Sequence, residues 1–397
     1  MLYIHIPFCK TRCIYCLFFS STNENLRQKY IDVLCLEIAQ RKNYLLDNHL
    51  DTIYFGGGTP SLLSVSELEK IFDAINQNFI IKPDAEITIE ANPDDLCFEY
   101  VSQLSKLPFN RISIGVQCLN DKELRFLKRR HTAEQAKNAV EICKKCGFEN
   151  ISIDLIHSLP NQTLKSWQNT VNEAIKLDVQ HISAYALTYE KGTKLAEIDK
   201  KRHFSKISDK KSEKIFEILN ENLKNADFEH YEISNYCKKN YFSRHNSGYW
   251  SGANYLGVGA AAHSFNGNSR SWNVASLEKY CQAISQKRTQ ITQKTQINTK
   301  NNFCADSCDL CSISTTEILT EKDKYNELIF LSLRTKKGLD LEKLKNNFGN
   351  EKYTFLLKNA KNYLENDILT IEKNFLKINE KSFIISNQIM SDLMFVD

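Results

Sequence analysis

The chain has 397 residues and a mass of 45.9 kDa, with 42% apolar and 25% charged residues and a net charge of +4. These values fit an ordinary globular chain of two or three domains and exclude disordered and collagen-like classes. No apolar run is long enough to span a bilayer, the first residues lack signal-peptide order, and no basic run offers a nucleic-acid stripe. A cytosolic protein is expected, with no nucleic-acid partner and at most a weak peripheral membrane contact.

Taken in order, the first 190 residues alternate between two patterns. Strand-like runs cover Leu2–Ile6, Thr52–Phe55, Ala85–Ala91, Arg111–Val116, Ile151–Ile156 and His181–Leu187. Amphipathic segments of helix length lie between them. Capping-box spacing at Ser21 and Glu24, Ser64 and Glu67, and Thr132 and Gln135 marks three helix starts. Repeated β–α units predict a parallel sheet with right-handed crossovers. Six units predict a partly closed barrel, because a full eight-fold barrel takes about 250 residues.

Beyond this region the pattern changes. A helix is predicted over 206–226, a strand over Phe228–Tyr236, and a Gly- and Asn-rich loop region from Arg244 to Asn273. Residues 290–320 are polar and read as an insertion or linker. From Glu321 come three helices, two short strands (Ile368–Ile371 and Phe375–Ile378) and a last helix. This order fits a winged-helix-like tail or a generic helical packing domain. The predicted divisions are an α/β barrel over 1–205, an α+β extension over 206–289, a Cys-containing insertion over 290–320 and a C-terminal domain over 321–397.

Thirteen cysteines need explaining in a chain expected in a reducing compartment, where clustered thiols point to metal or redox chemistry. Two trios share one spacing: Cys9, Cys13 and Cys16, and Cys304, Cys308 and Cys311. The first follows the first strand. Three thiolates within eight residues hold three corners of a 4Fe–4S cubane and leave the fourth iron open. A zinc site completed by His5 is the alternative. The second trio reads as a metal site or as an incidental Cys-rich insertion, and Cys143 and Cys146 as core. Glycine is scarce but concentrated at Gly56, Gly57 and Gly58 and again from Gly248 to Gly267, where close backbone approach is expected. Glu90, Gln117 and Asp154 lie at predicted strand ends, the ligand face of such folds.

These features resemble the radical S-adenosylmethionine superfamily, whose CxxxCxxC loop follows the first barrel strand. The resemblance implies that S-adenosylmethionine chelates the free iron. Tyr3 to Cys9, Gly56 to Pro60, Ile89 to Pro93, Gly115 to Gln117, Arg129 ahead of His131, and Asp154 followed by Leu159 and Pro160 are similar to the oxygen-independent coproporphyrinogen III oxidase group. In that group the positions matching Tyr3, Tyr15, Gly57, Gly58, Thr59 and Glu90 are linked to S-adenosylmethionine. Those matching Gln117, Arg129 and Asp154 line a second such site. Two departures turn the resemblance from the oxidases to their sister family, the HemW heme chaperones. Phe18 stands where the oxidases place a fourth cysteine, and the trio begins at residue 9 without their long preceding extension.

By its residues alone His245 reads as a satisfied loop histidine with Trp250 anchoring the loop to the core, but His245 to Trp250 fits the HNxxYW pattern of the chaperones, where the histidine is tied to heme. Imidazole is a common axial ligand and aromatic rings suit a flat macrocycle. Arg244 or Arg270 could pair with a propionate. The resemblance therefore implies a heme chaperone that delivers heme to a respiratory acceptor, with coproporphyrinogen oxidase activity as the unfavoured alternative. A radical enzyme acting on nucleic acid is disfavoured by the lack of a basic stretch.

Overall fold

The computed structural model describes residues 1–202, 204, 207–284 and 314–396. Six strands alternate with helices through the first half: β1 (Leu2–Ile6), α1 (Arg27–Gln40), β2 (His49–Gly57), α2 (Val65–Asn78), β3 (Ile80–Ala91), α3 (Phe98–Leu104), β4 (Arg111–Gln117), α4 (Asp121–Phe126), α5 (Ala133–Lys145), β5 (Ile151–His157), α6 (Leu164–Lys176) and β6 (His181–Ala186). Each adjacent pair from β1 to β6 runs parallel. Side chains alternate across a strand. Ile87 and Ile89, Ile112 and Ile114, and Ile151 and Ile153 join one large core with α1, α2, α5 and α6. The opposite face carries Thr88, Glu90, Arg111, Ser113, Ser152 and Asp154. The expected six-stranded partial barrel is therefore present, with a polar inner face.

The capping boxes at Ser64 and Thr132 form as expected, opening α2 and α5. The one expected at Ser21 does not. Helix α1 starts at Arg27 behind Leu26, which has no side-chain cap, while the Ser21 hydroxyl accepts from the Asn23 N–H at 3.0 Å. Spacing alone could not distinguish a local turn from a helix start.

The next elements are α7 (Lys194–Arg202), α8 (Asp209–Asn225), β7 (Glu229–Glu232), β8 (Asn235–Cys237), α9 (Arg244–Trp250), β9 (Leu256–Val258), β10 (His263–Phe265), β11 (Ser269–Asn273) and α10 over 277–284. The predicted strand over Phe228–Tyr236 is a hairpin, β7 and β8, added antiparallel to β6. The predicted loop region holds α9 and three strands. Strand β9 adds parallel to β1, so the central sheet has nine strands in the order β7-β8-β6-β5-β4-β3-β2-β1-β9. The extension thus completes the barrel sheet at both edges.

Strand β12 (Ser314–Ile318) pairs antiparallel with β11. The end of the expected 290–320 linker is therefore a strand. Cys304, Cys308 and Cys311 lie outside the described residues. The C-terminal part contains α11 (Glu321–Leu333), β13 (Leu339–Asp340), α12 (Leu341–Glu365), β14 (Leu369–Glu372), β15 (Phe375–Ile378) and α13 (Ser386–Leu393). The last three strands form a sheet in the order β13-β15-β14. Gly349, at φ 80°, breaks α12 into two helices. Tyr325, Ile329, Leu356, Leu376 and Ile389 centre a second apolar core. No helix among the described residues is long and apolar enough to cross a membrane.

Candidate functional site

The first cysteine trio lies on a loop closed at its base. The Cys9 N–H donates to the Ser21 carbonyl at 3.0 Å, and the Ser21 N–H to that of Pro7 at 2.7 Å. Ile14 is buried, and its carbonyl accepts from the Leu195 N–H at 2.8 Å. Held at both places, the loop turns Cys9, Cys13 and Cys16 toward one cavity at the carboxyl ends of the parallel strands. The Thr59 hydroxyl donates to Cys9 Sγ and the Arg129 guanidinium to Cys13 Sγ, each at 3.4 Å. Burial raises the Cys9 thiol and pushes Cys16 up to about 11. Both thiolates therefore depend on positive charge brought into the cavity, such as that of a metal. Among the described residues, no three Cys, His, Asp or Glu side chains are placed to hold one ion. A cubane does not require that, because each thiolate binds a different iron.

Tyr15, Gly57, Gly58, Thr59, Glu90, Gln117, Arg129 and Asp154 line the same cavity. Glu90 accepts from the Tyr54 hydroxyl at 2.8 Å and from the Gly57 N–H at 3.1 Å. Burial, with Asp154 adding to it, raises Glu90 to about 7. Asp154, raised by burial too, sits in the middle of β5 rather than at its end, and the Ser113 hydroxyl approaches it at 3.4 Å. Gln117 ends β4 with a left-handed φ of 68°. The Arg129 guanidinium also donates to Asn92 Oδ1 and to the Gly115 carbonyl, both at 2.6 Å. Its buried Nε has no partner among the described residues. Sequence reasoning missed Asn92 and Ser113 as lining residues. Their strand positions were the available signal, since Asn92 follows Glu90 by two and Ser113 pairs with Glu90 across β3 and β4.

Two expected residues are not part of this cavity. The Tyr3 hydroxyl meets His5 Nδ1 at 3.0 Å, and Tyr3 borders a different cleft. His245, expected as an axial ligand, is fully buried. Its Nδ1 meets the Thr52 hydroxyl at 2.7 Å and its Nε2 the Tyr249 hydroxyl at 2.9 Å. Its ring stacks on Tyr54 at 5.0 Å. Burial pushes it down to about 3. Both nitrogens are engaged inside the protein, and the ring does not line the cysteine cavity. Arg244 is likewise engaged elsewhere, donating to the Asp84 carbonyl at 2.5 Å.

The second cleft has a volume of about 630 Å³ and mostly aromatic walls. Tyr3 and His5 of β1, Tyr249 and Trp250 of α9, Tyr255, Phe265 of β10 and Leu331 of α11 border it, with His263 and Arg270 at its polar side. Phe18, 65% exposed, lines both this cleft and the cysteine cavity.

Comparison with known proteins agrees with this arrangement. Residues 3–174 match the model of the radical SAM superfamily, and residues 319–384 that of the HemN C-terminal domain. A heme chaperone HemW of Lactococcus lactis subsp. lactis is 31% identical over 397 residues, spanning 100% of this chain and 97% of that protein. A heme chaperone HemW of Bacillus subtilis is 36% identical over 293 residues, 72% of this chain and 76% of that one. The solved coproporphyrinogen III oxidase of Escherichia coli shares the fold, with a TM-score of 0.79 at 21% identity over 99% of this chain and 89% of that chain.

Proposed function

The chain belongs to the HemW heme-chaperone family within the radical SAM superfamily, and from that membership we propose that it carries heme and delivers it to a respiratory acceptor. The superfamily implies a 4Fe–4S cluster and S-adenosylmethionine. The residues present fit them. Cys9, Cys13 and Cys16 would hold three irons, leaving the fourth to S-adenosylmethionine. When bound, this pair supplies one-electron chemistry that protein side chains lack.

This chain's own residues do the rest. Thr59 and Arg129 offset thiolate charge at Cys9 and Cys13. Gly57 and Gly58 border the cavity with bare backbone at the end of β2. Glu90, Gln117 and Asp154 offer polar groups to a nucleoside and an amino-acid moiety. Tyr15 borders the cavity beside them.

The observation favouring a chaperone over an oxidase is Phe18. An exposed phenyl ring stands at the mouth of the cysteine cavity, where the oxidases place a fourth cysteine. It offers apolar contact to a macrocycle and no thiol chemistry. The test sets hemin titration of the purified protein beside anaerobic incubation with coproporphyrinogen III. Stoichiometric hemin binding without turnover is expected. Turnover by the wild type would replace the chaperone reading with the oxidase one.

A further inference from the structure

Helix carboxylates elsewhere on this surface meet cations: Glu67 takes Arg27 at 2.6 Å, and Glu173 takes Lys176 at 2.7 Å. Helix α8 is different. Glu213, Glu217 and Glu221 recur every four residues and are exposed, so they form one row about 12 Å long on a single helix face. No ion pair or hydrogen bond engages any of the three among the described residues. Like charges at this spacing repel, so the row weakens the helix it stands on and is relieved when cations approach. The other face of α8 is fixed, since Ile215, Leu219 and Leu223 pack into the barrel core.

The row borders a groove of about 670 Å³ between α8 and the short helical turn over Glu380–Ile385 that follows β15. Its lining is apolar between the charges. Phe216 of α8 and Ile368 line it and pack against the C-terminal core. Phe383 is buried in that core, which fixes the turn and leaves its neighbours Ile384 and Ile385 at 38% and 43% exposure on the turn's side of the groove. At one end Glu380 meets His230 Nδ1 at 3.4 Å. Lys224 and Lys381 line the same groove, yet neither closes on the α8 row. The groove therefore joins rigid exposed isoleucines to three carboxylates without counterions.

We propose that this groove docks a partner protein through a basic amphipathic segment, one with apolar side chains along one face and Lys or Arg beside them. Charge complementarity decides the occupant. The apolar face covers Ile384 and Ile385, and the flanking cations pair with Glu213, Glu217 and Glu221, as when an amphipathic helix seats in an apolar groove. Such pairs fix orientation and speed encounter. The same row repels phosphate, so an anionic membrane surface or a nucleic acid fits the groove poorly. Its two sides belong to different cores, so the occupant bridges the barrel and the C-terminal domain. Heme binding plays no part in this docking.

The test is fluorescence anisotropy of a labelled helical peptide of about 18 residues, built of leucine on one face and lysine on the other, titrated with the full chain. A matched peptide with glutamate in place of lysine is the control. The lysine peptide should bind at least about tenfold more tightly than the glutamate peptide, and raising salt from ~50 to ~300 mM should weaken it. Glu217→Lys with Glu221→Lys, and separately Ile384→Ser with Ile385→Ser, should each weaken it at least about tenfold. Glu69→Lys with Glu99→Lys makes the same charge change at exposed sites outside the groove and should leave binding unchanged. The proposal is overturned if the wild type binds neither peptide or both alike, if either groove pair binds as the wild type does, or if the pair outside the groove weakens binding equally. Sedimentation and vesicle flotation cover the other occupants. A wild-type dimer that Ile385→Glu splits would make the occupant a second copy. Wild-type flotation with phosphatidylglycerol-containing vesicles, lost in Ile385→Glu, would make it a membrane. Either result overturns the proposal.

Discussion

His245 and Thr52, 193 residues apart in sequence, meet at 2.7 Å between Nδ1 and Oγ1. This bond ties α9 to β2, and the carboxylate of Glu86 on β3 secures the same helix by accepting the Arg244 and His245 N–H groups at 2.9 and 2.8 Å. The histidine of the HNxxYW segment thus acts here as a core fastener. Tyr249, of the same motif, closes the other side of its ring.

A stability measurement follows from this bond. His245→Ala leaves a cavity and strands two buried hydroxyls. It should lower unfolding free energy by about 2–4 kcal/mol, read as a lower urea midpoint with an unchanged slope. A variant as stable as the wild type would show that the bond network contributes nothing.

The cysteine trio is separable by substitution. Cys9→Ala, Cys13→Ala or Cys16→Ala should each abolish the visible charge-transfer absorbance of the reconstituted cluster. Cys35→Ala and Cys97→Ala should retain it, since neither residue lines the cavity. An intact 4Fe–4S spectrum in Cys13→Ala would defeat the ligand assignment.

Gly57 tests the close approach at the end of β2. Its φ is +108°, and a Cβ there would lie 2.4 Å from the His5 ring. Gly57→Ala should cost about 1–3 kcal/mol in backbone strain, and more if His5 cannot shift. Calorimetry should show the lower melting temperature, and S-adenosylmethionine affinity should fall with it. Unchanged values for both would mean the turn relaxes freely.

Acid should destabilise the fold through its buried histidines. Burial pushes His5, His131 and His157 down to about 4 and His245 to about 3. In the unfolded chain each binds a proton near 6.5. Between about pH 6.5 and 4 the unfolded state therefore holds more protons, and stability falls as pH drops, by up to about 1.4 kcal/mol per pH unit for each histidine. Glu90, raised to about 7 by burial, works the other way, as do Asp154 and Glu327, but the depressed histidines, which include His181 and His263, outnumber them. Urea titrations at neutral pH and near pH 5 should show the lower midpoint at the acid value. A flat profile would mean these histidines gain protons without unfolding.

Much of the barrel was legible because its signals are local. The β1 run matches its structural bounds, and the boxes at Ser64 and Thr132 each need only four residues to be recognised. The Cys9, Cys13 and Cys16 loop was equally plain, since three sulfurs within eight residues have few other uses. The Gly- and Asn-rich stretch misled for a physical reason. Glycine there reads as loop, and the close backbone approach expected from it is present where Gly257 meets the His263 carbonyl, but the strands β9 and β10 that make this approach are too short to show a period.

Sequence by itself determined the strand and helix alternation and the cysteine loop, because each rests on periodicity or spacing within a short window, and it carried the family as a resemblance in motifs spread from Tyr3 to Trp250. Only the tertiary structure decided which histidine is sealed and which is open. His245 and His263 are both imidazoles in one Gly-rich region, and nothing local distinguishes them. Their difference comes from what the distant chain brings: Thr52 and Tyr54 of β2 close over one ring, while the edge position of β10 leaves the other facing the cleft. Burial is set by packing between segments far apart in sequence, so neither histidine's exposure could be read from its neighbours along the chain.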